Sequence, residues 1–250
     1  MSGHSKWASI KHKKKIVDSK RGKLFTKLTR AITVAAREGG GDPDGNPSLA
    51  LAVQKARDAS MPKDNIERAI AKGTGADSDA AAFEPVLYEG YGPGGVAILV
   101  EALTDNRNRT GSEVRHIFSQ FGGSLGEPGS VAWTFEKKGQ VVVDSTRYDE
   151  DELMAAIDAG AEDVSLDDDV WEVVTAPTDL TPVREALEGA GVELQSAELV
   201  MRPTTTTPVA EDQVGTLMRL IDDLEDQDDV QAVHANYDVD ADVLERVAAA

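Results

Sequence analysis

The fold of this chain is decided by residues 84–110, which read EPVLYEGYGPGGVAILVEALTDNRNRT. Two strand-like runs, 84–89 and 96–103, flank the turn-forming segment GYGPGG, a pattern typical of a hairpin connection. The polar segment that follows leads into a helix, which we predict over residues 110–121. Two joined strands followed by a helix indicate an α/β domain in this part of the chain.

On the C-terminal side, residues 140–201 predict strands and helices in the order βαββαβ, the ferredoxin-like split arrangement. The strands are predicted at 140–143, 163–166, 171–174 and 196–201, and the helices at 150–159 and 181–190. A further strand is predicted at 130–135. A helix at 211–226 and a strand at 229–235 are too few to fold alone, so we expect them to complete the unit of residues 83–135.

The N-terminal part predicts three short amphipathic helices. Apolar residues recur at helical spacings over residues 18–37, at Leu24, Leu28, Ile32 and Ala35. A second helix over residues 49–59 is expected to have Ser48 as its cap, and a third is expected to begin at Pro62 and end at Gly73. Three such helices with short connections indicate one small helical domain.

These patterns together predict an α+β protein. We expect an N-terminal three-helix domain followed by two α/β domains, the last of them ferredoxin-like and inserted in the middle one. The predicted limits are residues 1–76 for the basic helical domain, 77–135 plus 204–250 for the discontinuous α/β domain, and 136–203 for the inserted domain.

Charge is distributed very unevenly along the chain, whose net charge is −19. Residues 1–40 contain 11 Lys or Arg and 2 acidic residues, whereas residues 76–250 contain 10 basic and 38 acidic residues. Because salt screens charges over about 8 Å at physiological ionic strength, the excess of +9 at the N-terminus acts locally. A polyanion is therefore attracted to one end of the chain and repelled by the rest.

We expect the basic N-terminus to contact nucleic-acid phosphates, since each neutralised phosphate releases condensed counterions. The candidate residues are Lys6, Lys11, His12, Lys13, Lys14, Lys15, Lys20, Arg21, Lys23, Lys27 and Arg30. The alternative is a solvated basic helix face with no partner, and the acidic remainder of the chain favours the functional interpretation. Trp7 is expected to anchor this segment on the helical domain, the alternative being stacking on a base.

Arg107 and Arg109 form a second candidate site, for an anion or RNA. They lie between a predicted strand and a predicted helix, where free backbone N–H groups and the helix dipole favour an anion. In the alternative, Asp105 and Asn106 shape the turn, Thr110 caps the helix, and both arginines pair with local carboxylates. The sequence leaves these alternatives open.

No residue pattern indicates catalysis. The chain contains no cysteine and four scattered histidines, and its glycine-rich segment lacks the spacing of a phosphate-binding loop. We therefore expect a protein that is not an enzyme, without catalytic residues, metal, cofactor or small-molecule substrate. Trp133 and Trp171, on predicted strands, are expected in the core. The absence of a membrane-length apolar run or a secretory signal pattern predicts a cytoplasmic protein with no membrane partner.

Several motifs together resemble the YebC/PmpR family. They are GHSKWA at 3–8, KRGKLFTKL at 20–28, MPKDNI at 61–66, YEGYGPGG at 88–95 and TDNRNRT at 104–110. The match is collinear over nearly the whole chain. The resemblance implies three domains, the third inserted in the second, and brings no family catalytic residue with it.

The resemblance also implies two functions. Members are generally described as "probable transcriptional regulators" that bind DNA, whereas mitochondrial relatives act as translational activators and bacterial members are connected to ribosomes stalled on proline-rich sequences. The chain is thus expected to be a DNA-binding transcriptional regulator, or alternatively a translation factor that contacts ribosomal RNA or tRNA and has the ribosome as a partner. A third interpretation is an interaction scaffold whose ferredoxin-like domain binds protein.

Overall fold

The computed structural model describes residues 18–75, 83–167 and 170–249. An N-terminal helical part is followed by two sheet-containing parts, which confirms the predicted α+β class. The described residues form two compact units, one made of residues 18–75, 83–132 and 215–233 and the other of residues 133–167, 170–214 and 234–249. The predicted three-domain limits remain a prediction.

The helical part contains three helices with a common apolar core. They are α1 (Asp18–Gly39), α2 (Pro47–Asp58) and α3 (Lys63–Thr74). The predicted apolar face of α1 is buried, and Leu28, Ile32 and Ala35 pack with residues of the other two helices. Burial of this face, more than the helix propensity of short segments, is what stabilises helices of this length.

Helix α2 is capped by Asn46, so the predicted cap at Ser48 is wrong. Oδ1 of Asn46 accepts a hydrogen bond from N of Leu49 at 3.1 Å. Nδ2 of Asn46 donates to the carbonyl oxygens of Ala35 and Gly40, at 2.8 and 2.9 Å, and thereby satisfies the end of α1. The helix then begins at Pro47, whose missing N–H is not needed in the first turn.

The first sheet is formed by β1 (Glu84–Tyr91), β2 (Ala97–Thr104), β3 (Ser124–Leu125) and, much later in the chain, β9 (Val230–Ala235), and helix α4 (Arg107–Gln120) lies between β2 and β3 along the chain. Its strand order is β3-β1-β2-β9. Strands β1 and β2 form the predicted antiparallel hairpin. Gly94 and Gly95 both have φ of 75° in the connection, a conformation that side chains with a Cβ rarely adopt.

The second sheet and its two helices follow in the order β4 (Phe135–Asp144), α5 (Met154–Asp158), β5 (Ala161–Asp167), β6 (Val170–Thr175), α6 (Leu180–Gly189) and β7 (Leu194–Pro203). The sheet is antiparallel, with the strand order β5-β6-β4-β7. The order along the chain confirms the predicted βαββαβ arrangement. One face of the sheet is covered by α6, since a Cβ on Gly139 would lie 2.9 Å from the Leu180 Cβ.

The strand predicted at residues 130–135 is absent. A 3₁₀ turn occupies Ala132–Thr134, and the strand begins only at Phe135. The side chain of Trp133 is 73% exposed, so its predicted place in the core is also wrong. Trp171 is partly buried, and its Nε1 donates to the carbonyl oxygen of Tyr148 at 2.9 Å.

The chain returns to the first sheet through α7 (Glu211–Asp226), whose ends agree with the predicted helix. Among the described residues, three strands and one α-helix were not predicted. They are β3, the short parallel pair β8 (Thr207–Pro208) and β10 (Tyr237–Asp238), and the last helix, α8 (Ala241–Ala249).

Candidate nucleic-acid interface

The predicted phosphate-binding residues divide into two groups. Lys6, Lys11, His12, Lys13, Lys14 and Lys15 lie outside the described residues. Lys20 and Arg21 belong to α1, and only their backbone is described. The side chains of Lys23, Lys27 and Arg30 are described, and they show what the basic face of α1 contacts.

These three cations bind the C-terminal end of α7. Nζ of Lys23 donates to the carbonyl oxygen of Asp226 at 3.1 Å, and Nζ of Lys27 donates to that of Glu225. Nη1 of Arg30 donates to the carbonyl oxygen of Asp228, just beyond the helix, at 2.6 Å. The last carbonyls of a helix lack partners within it and form the negative end of its dipole. Lys23 and Lys27 therefore satisfy carbonyls in the last turn of α7, and Arg30 binds the chain just beyond it.

Lys27 is partly buried. Burial lowers the pKa of its ammonium group, and the nearby acidic side chains of Glu225, Asp226 and Asp228 oppose that shift. A cation in such a place holds two helices together at a cost in desolvation. Its ammonium group is directed to a partner within the chain.

Arg30 connects α1 to a buried carboxylate. Its Nη1 lies 2.7 Å from Oδ1 of Asp229. The guanidinium also lies over the ring of Phe83, 5.0 Å from the ring centroid. In the last turn of α1, Arg37 donates to the carbonyl oxygen of Phe83. Both arginines thus join α1 to the residue that precedes the first strand.

Asp229 lies at the centre of a polar cluster, which we call the Asp229 cluster and which consists of Asp229, Arg30, Thr104, Arg109 and Thr110. Its Oδ2 accepts hydrogen bonds from Oγ1 of Thr110 at 2.6 Å, Nη2 of Arg109 at 2.8 Å and Oγ1 of Thr104 at 3.2 Å. Burial alone would raise the pKa of Asp229, but the hydrogen bonds from Thr110 and Arg109 and the charge of Arg30 hold it below its ordinary value. The carboxylate is fully engaged.

In the segment 104–110, both arginines pair with carboxylates, as one of the two alternatives expected. Asn106 caps α4 by accepting from N of Arg109 at 3.1 Å, so the predicted cap at Thr110 is wrong. Arg109 pairs with Asp105 at 2.8 Å as well as with Asp229. Nε of Arg107 lies 3.7 Å from Oε1 of Glu84, in an exposed ion pair. Anion or RNA binding by these arginines remains a prediction.

The role of Asp229 was not predicted from the sequence, because its partners lie about 120 and 200 residues away along the chain.

The role of Glu89 was not predicted either. Its buried carboxylate accepts hydrogen bonds from N of Gly129, Val131 and Ala132, at 2.6, 2.7 and 2.8 Å. Burial acts to raise the pKa of Glu89, and the three N–H groups outweigh it and lower that pKa. A charged residue inside a strand of apolar neighbours was the signal that could have been used.

Family models match both parts of the chain. The model of the TACO1/YebC N-terminal domain matches residues 5–76, and the model of the second and third domain matches residues 83–237. The chain belongs to the TACO1/YebC family.

Relatives within the TACO1/YebC family match the chain from end to end. A protein of Rubrobacter xylanophilus named "probable transcriptional regulatory protein" is 58% identical over 99% of this chain and 100% of its own length. A protein of Acidothermus cellulolyticus with the same name is 54% identical over the same shares. The crystal structure of the conserved hypothetical protein Aq1575 from Aquifex aeolicus has a TM-score of 0.82 at 46% identity, covering 90% of this chain and 93% of that one.

Within this TACO1/YebC-family chain, two of the motifs are placed by the structure at buried carboxylates. TDNRNRT supplies Thr104, Arg109 and Thr110 to the Asp229 cluster, and YEGYGPGG supplies Glu89. Among the described residues, no group of three or more His, Asp or Glu side chains is arranged to hold a metal ion. In the same part of the chain, no helix is long and apolar enough to span a bilayer.

Proposed function

We propose that this chain is a nucleic-acid-binding regulator of gene expression, and that it binds DNA and regulates transcription. The observation that carries the proposal is the excess of +9 in residues 1–40 of a chain whose residues 76–250 carry −28. The names of the Rubrobacter and Acidothermus relatives support a role in transcription. The proposal includes a cytoplasmic location and no catalytic activity, cofactor or small-molecule substrate.

The contacts of α1 assign different tasks to the basic residues. Because Lys23, Lys27 and Arg30 bind the end of α7, we assign them to holding α1 in place. Contact with phosphates then falls to the residues that precede them: Lys6, Lys11, His12, Lys13, Lys14, Lys15, Lys20 and Arg21. Counterion release by these residues supplies the affinity, and it is independent of sequence.

A second candidate function is translation, with the basic N-terminus on ribosomal RNA or tRNA. The observation in its favour is that positive charge is confined to one end of a strongly acidic chain. Such a distribution discourages non-specific coating of nucleic acid and suits docking of one end into a confined RNA site.

Crosslinking in cells, followed by recovery and sequencing of the bound nucleic acid, separates the two functions. A transcriptional regulator gives reads centred on promoter DNA, and a translation factor gives reads on ribosomal RNA and tRNA. Promoter-centred reads without enrichment of ribosomal RNA or tRNA would reject translation, and the reverse pattern would reject the transcriptional function. Recovery of neither above an untagged control would reject nucleic-acid binding itself.

A further inference from the structure

The exposed side of α4 differs in composition from the helices that follow it. Eight of the fourteen residues of α4 are exposed, and none of the eight is acidic: Arg107, Asn108, Arg109, Ser112, Arg115, His116, Ser119 and Gln120. The later helices α5 to α8 each expose at least one carboxylate, and examples are Asp158, Glu185, Glu211 and Asp242. A helix surface without carboxylates is unusual here, because residues 76–250 contain 38 acidic and only 10 basic residues.

Five of the exposed residues lie along one side of the helix. We call this side the α4 face, and it consists of Asn108, Ser112, Arg115, His116 and Ser119. Their spacing of i, i+4, i+7, i+8 and i+11 places them together, as in any α-helix. Thr110, Val114 and Phe118 on the opposite side are fully buried, and Asn106 caps the helix. The α4 face is therefore presented on a rigid element, which loses little conformational entropy when it binds a partner.

Polar groups of the α4 face have no partner among the described residues. Arg115 makes no ion pair with any of them, whereas seven of the other nine basic residues after position 75 do. The side chains of Asn108, Ser112 and His116 likewise make no hydrogen bond within the described part of the chain. In a chain with so many carboxylates, an arginine without an ion pair indicates an anion from outside the chain.

The side-chain types of the α4 face are those that recognise base pairs. In the DNA major groove, arginine contacts guanine and asparagine contacts adenine through paired hydrogen bonds, and serine bonds to several bases. This groove, about 12 Å wide, admits an α-helix. At a rise of about 1.5 Å per residue, Asn108 and Arg115 stand about 10 Å apart along the helix axis. This separation is close to three base-pair steps of about 3.4 Å each.

We propose that the α4 face enters the major groove of duplex DNA, where Asn108 and Arg115 contact base edges and Ser112 and His116 bond to bases or phosphates beside them. This inference rests on the proposed function as a DNA-binding regulator. It adds the source of sequence discrimination, because phosphate contacts by the basic N-terminus are independent of sequence. The absence of carboxylates from the α4 face removes the repulsion that the other acidic surfaces exert on DNA.

Selection of duplexes from a randomised pool by the native chain tests the inference. The native chain should enrich a sequence motif, and the ratio of its affinities for the enriched and a scrambled duplex is then measured by fluorescence anisotropy. Arg115→Ala should lower this ratio by about 5- to 150-fold, as expected from the loss of one paired contact to a base. Arg115→Lys should lower it too, because lysine keeps the charge and loses the paired geometry.

Arg219→Ala is the matched control. Arg219 is an exposed arginine of α7 whose Nε donates to the carbonyl oxygen of Gly215 in its own helix. Its loss removes the same charge as the loss of Arg115, and it should leave the affinity ratio unchanged. Should Arg115→Ala fail to fold by circular dichroism, Asn108→Ala and Arg115→Lys apply the same test to the α4 face.

Tethered cleavage locates the contact. The chain contains no cysteine, so Ser112→Cys provides a single attachment point for an iron chelate on the α4 face. The labelled variant should cleave DNA within the enriched motif, whereas the same label on Arg219→Cys should not.

The outcomes separate this inference from the proposed function. Duplex binding without an enriched motif, an affinity ratio unchanged in Arg115→Ala, or no cleavage of the motif from Ser112→Cys overturns the inference and leaves the proposed function standing. Binding of structured RNA but not of duplex DNA also overturns it, since side chains cannot read the deep, narrow major groove of an RNA helix. Failure of the native chain to bind any nucleic acid overturns both.

Discussion

Asp229 joins residues that are far apart in sequence, and its charge is balanced by two arginines. We predict that Asp229→Asn lowers the free energy of unfolding by about 2–4 kcal/mol, because the amide leaves Arg30 and Arg109 without the buried charge they pair with. The amide also presents N–H groups toward the hydroxyls that now donate to the carboxylate. Urea denaturation followed by circular dichroism measures the change.

Asp105→Asn is the matched control, since Asp105 pairs with the same Arg109 guanidinium at the surface and should contribute less than about 1 kcal/mol to stability.

The pH dependence of stability gives a second check. The pKa of Asp229 lies below its ordinary value in the folded protein, so its contribution is present above about pH 4 and is lost as the pH falls through the folded pKa. The difference in the free energy of unfolding between the native protein and Asp229→Asn should therefore become smaller below pH 4. Equal losses of unfolding free energy in Asp229→Asn and Asp105→Asn at pH 7 would contradict this role of Asp229.

The residues of this cluster show what a single sequence reveals about a site. The segment 104–110 was predicted to join a strand to a helix, and in one of two alternatives Asp105 and Asn106 shape the turn while Thr110 caps the helix. In the structure Asn106 caps the helix by accepting from N of Arg109, and Thr110, one turn inside the helix, donates its hydroxyl to Asp229. Local pattern predicts the junction, whereas the partner of Thr110 lies about 120 residues away along the chain.

Helix packing gives a prediction at the scale of elements. A Cβ on Gly73 would lie 2.4 Å from the Thr33 carbonyl oxygen and 2.8 Å from the Ala36 Cβ, so α3 approaches α1 only because that residue is glycine. We predict that Gly73→Ala lowers the free energy of unfolding by about 1–3 kcal/mol, as overpacking outweighs the better helix propensity of alanine. Thermal and urea denaturation measure the effect.

Gly22→Ala in α1 is the matched control. Nothing lies within 4 Å of a Cβ at that residue, so the same substitution should raise stability by about 0.5–1 kcal/mol. A neutral or stabilising Gly73→Ala would show that the two helices do not pack as closely as described.

Some helices and strands are determined by their own residues, and others depend on contacts with distant parts of the chain. Helix α7 and the hairpin of β1 and β2 were predicted because their apolar periodicity and turn glycines are local signals. Residues 130–135 have strand-like composition, yet the Glu89 carboxylate takes the N–H groups of Val131 and Ala132 and so removes them from any strand pairing. The βαββαβ order of elements along the chain was predicted, whereas the order of the strands within each sheet became known only from the structure.

At the scale of the whole molecule, the uneven charge distribution was evident from the sequence, but the tasks of individual cations were not. Part of the basic face of α1 binds carbonyl oxygens at the end of α7, about 200 residues away along the chain. A count of charges treats these lysines and arginines like those upstream of them. We therefore assign phosphate contact to the basic residues before Lys23 and internal contacts to Lys23, Lys27 and Arg30.

The salt dependence of binding to duplex DNA tests the central claim most directly. If about five phosphates are neutralised, the native chain should show a log–log slope of roughly −4 to −5. Replacing Lys13, Lys14 and Lys15 by glutamine should make the slope less steep by about 2–3, since each lost phosphate contact contributes about 0.9. The same replacement of Lys55, Lys63 and Lys72, three exposed lysines of α2 and α3, should leave it unchanged. A flat response of the native chain, or equal slopes for the native chain and the Lys13–Lys15 variant, would contradict the claim that the basic N-terminus binds nucleic acid.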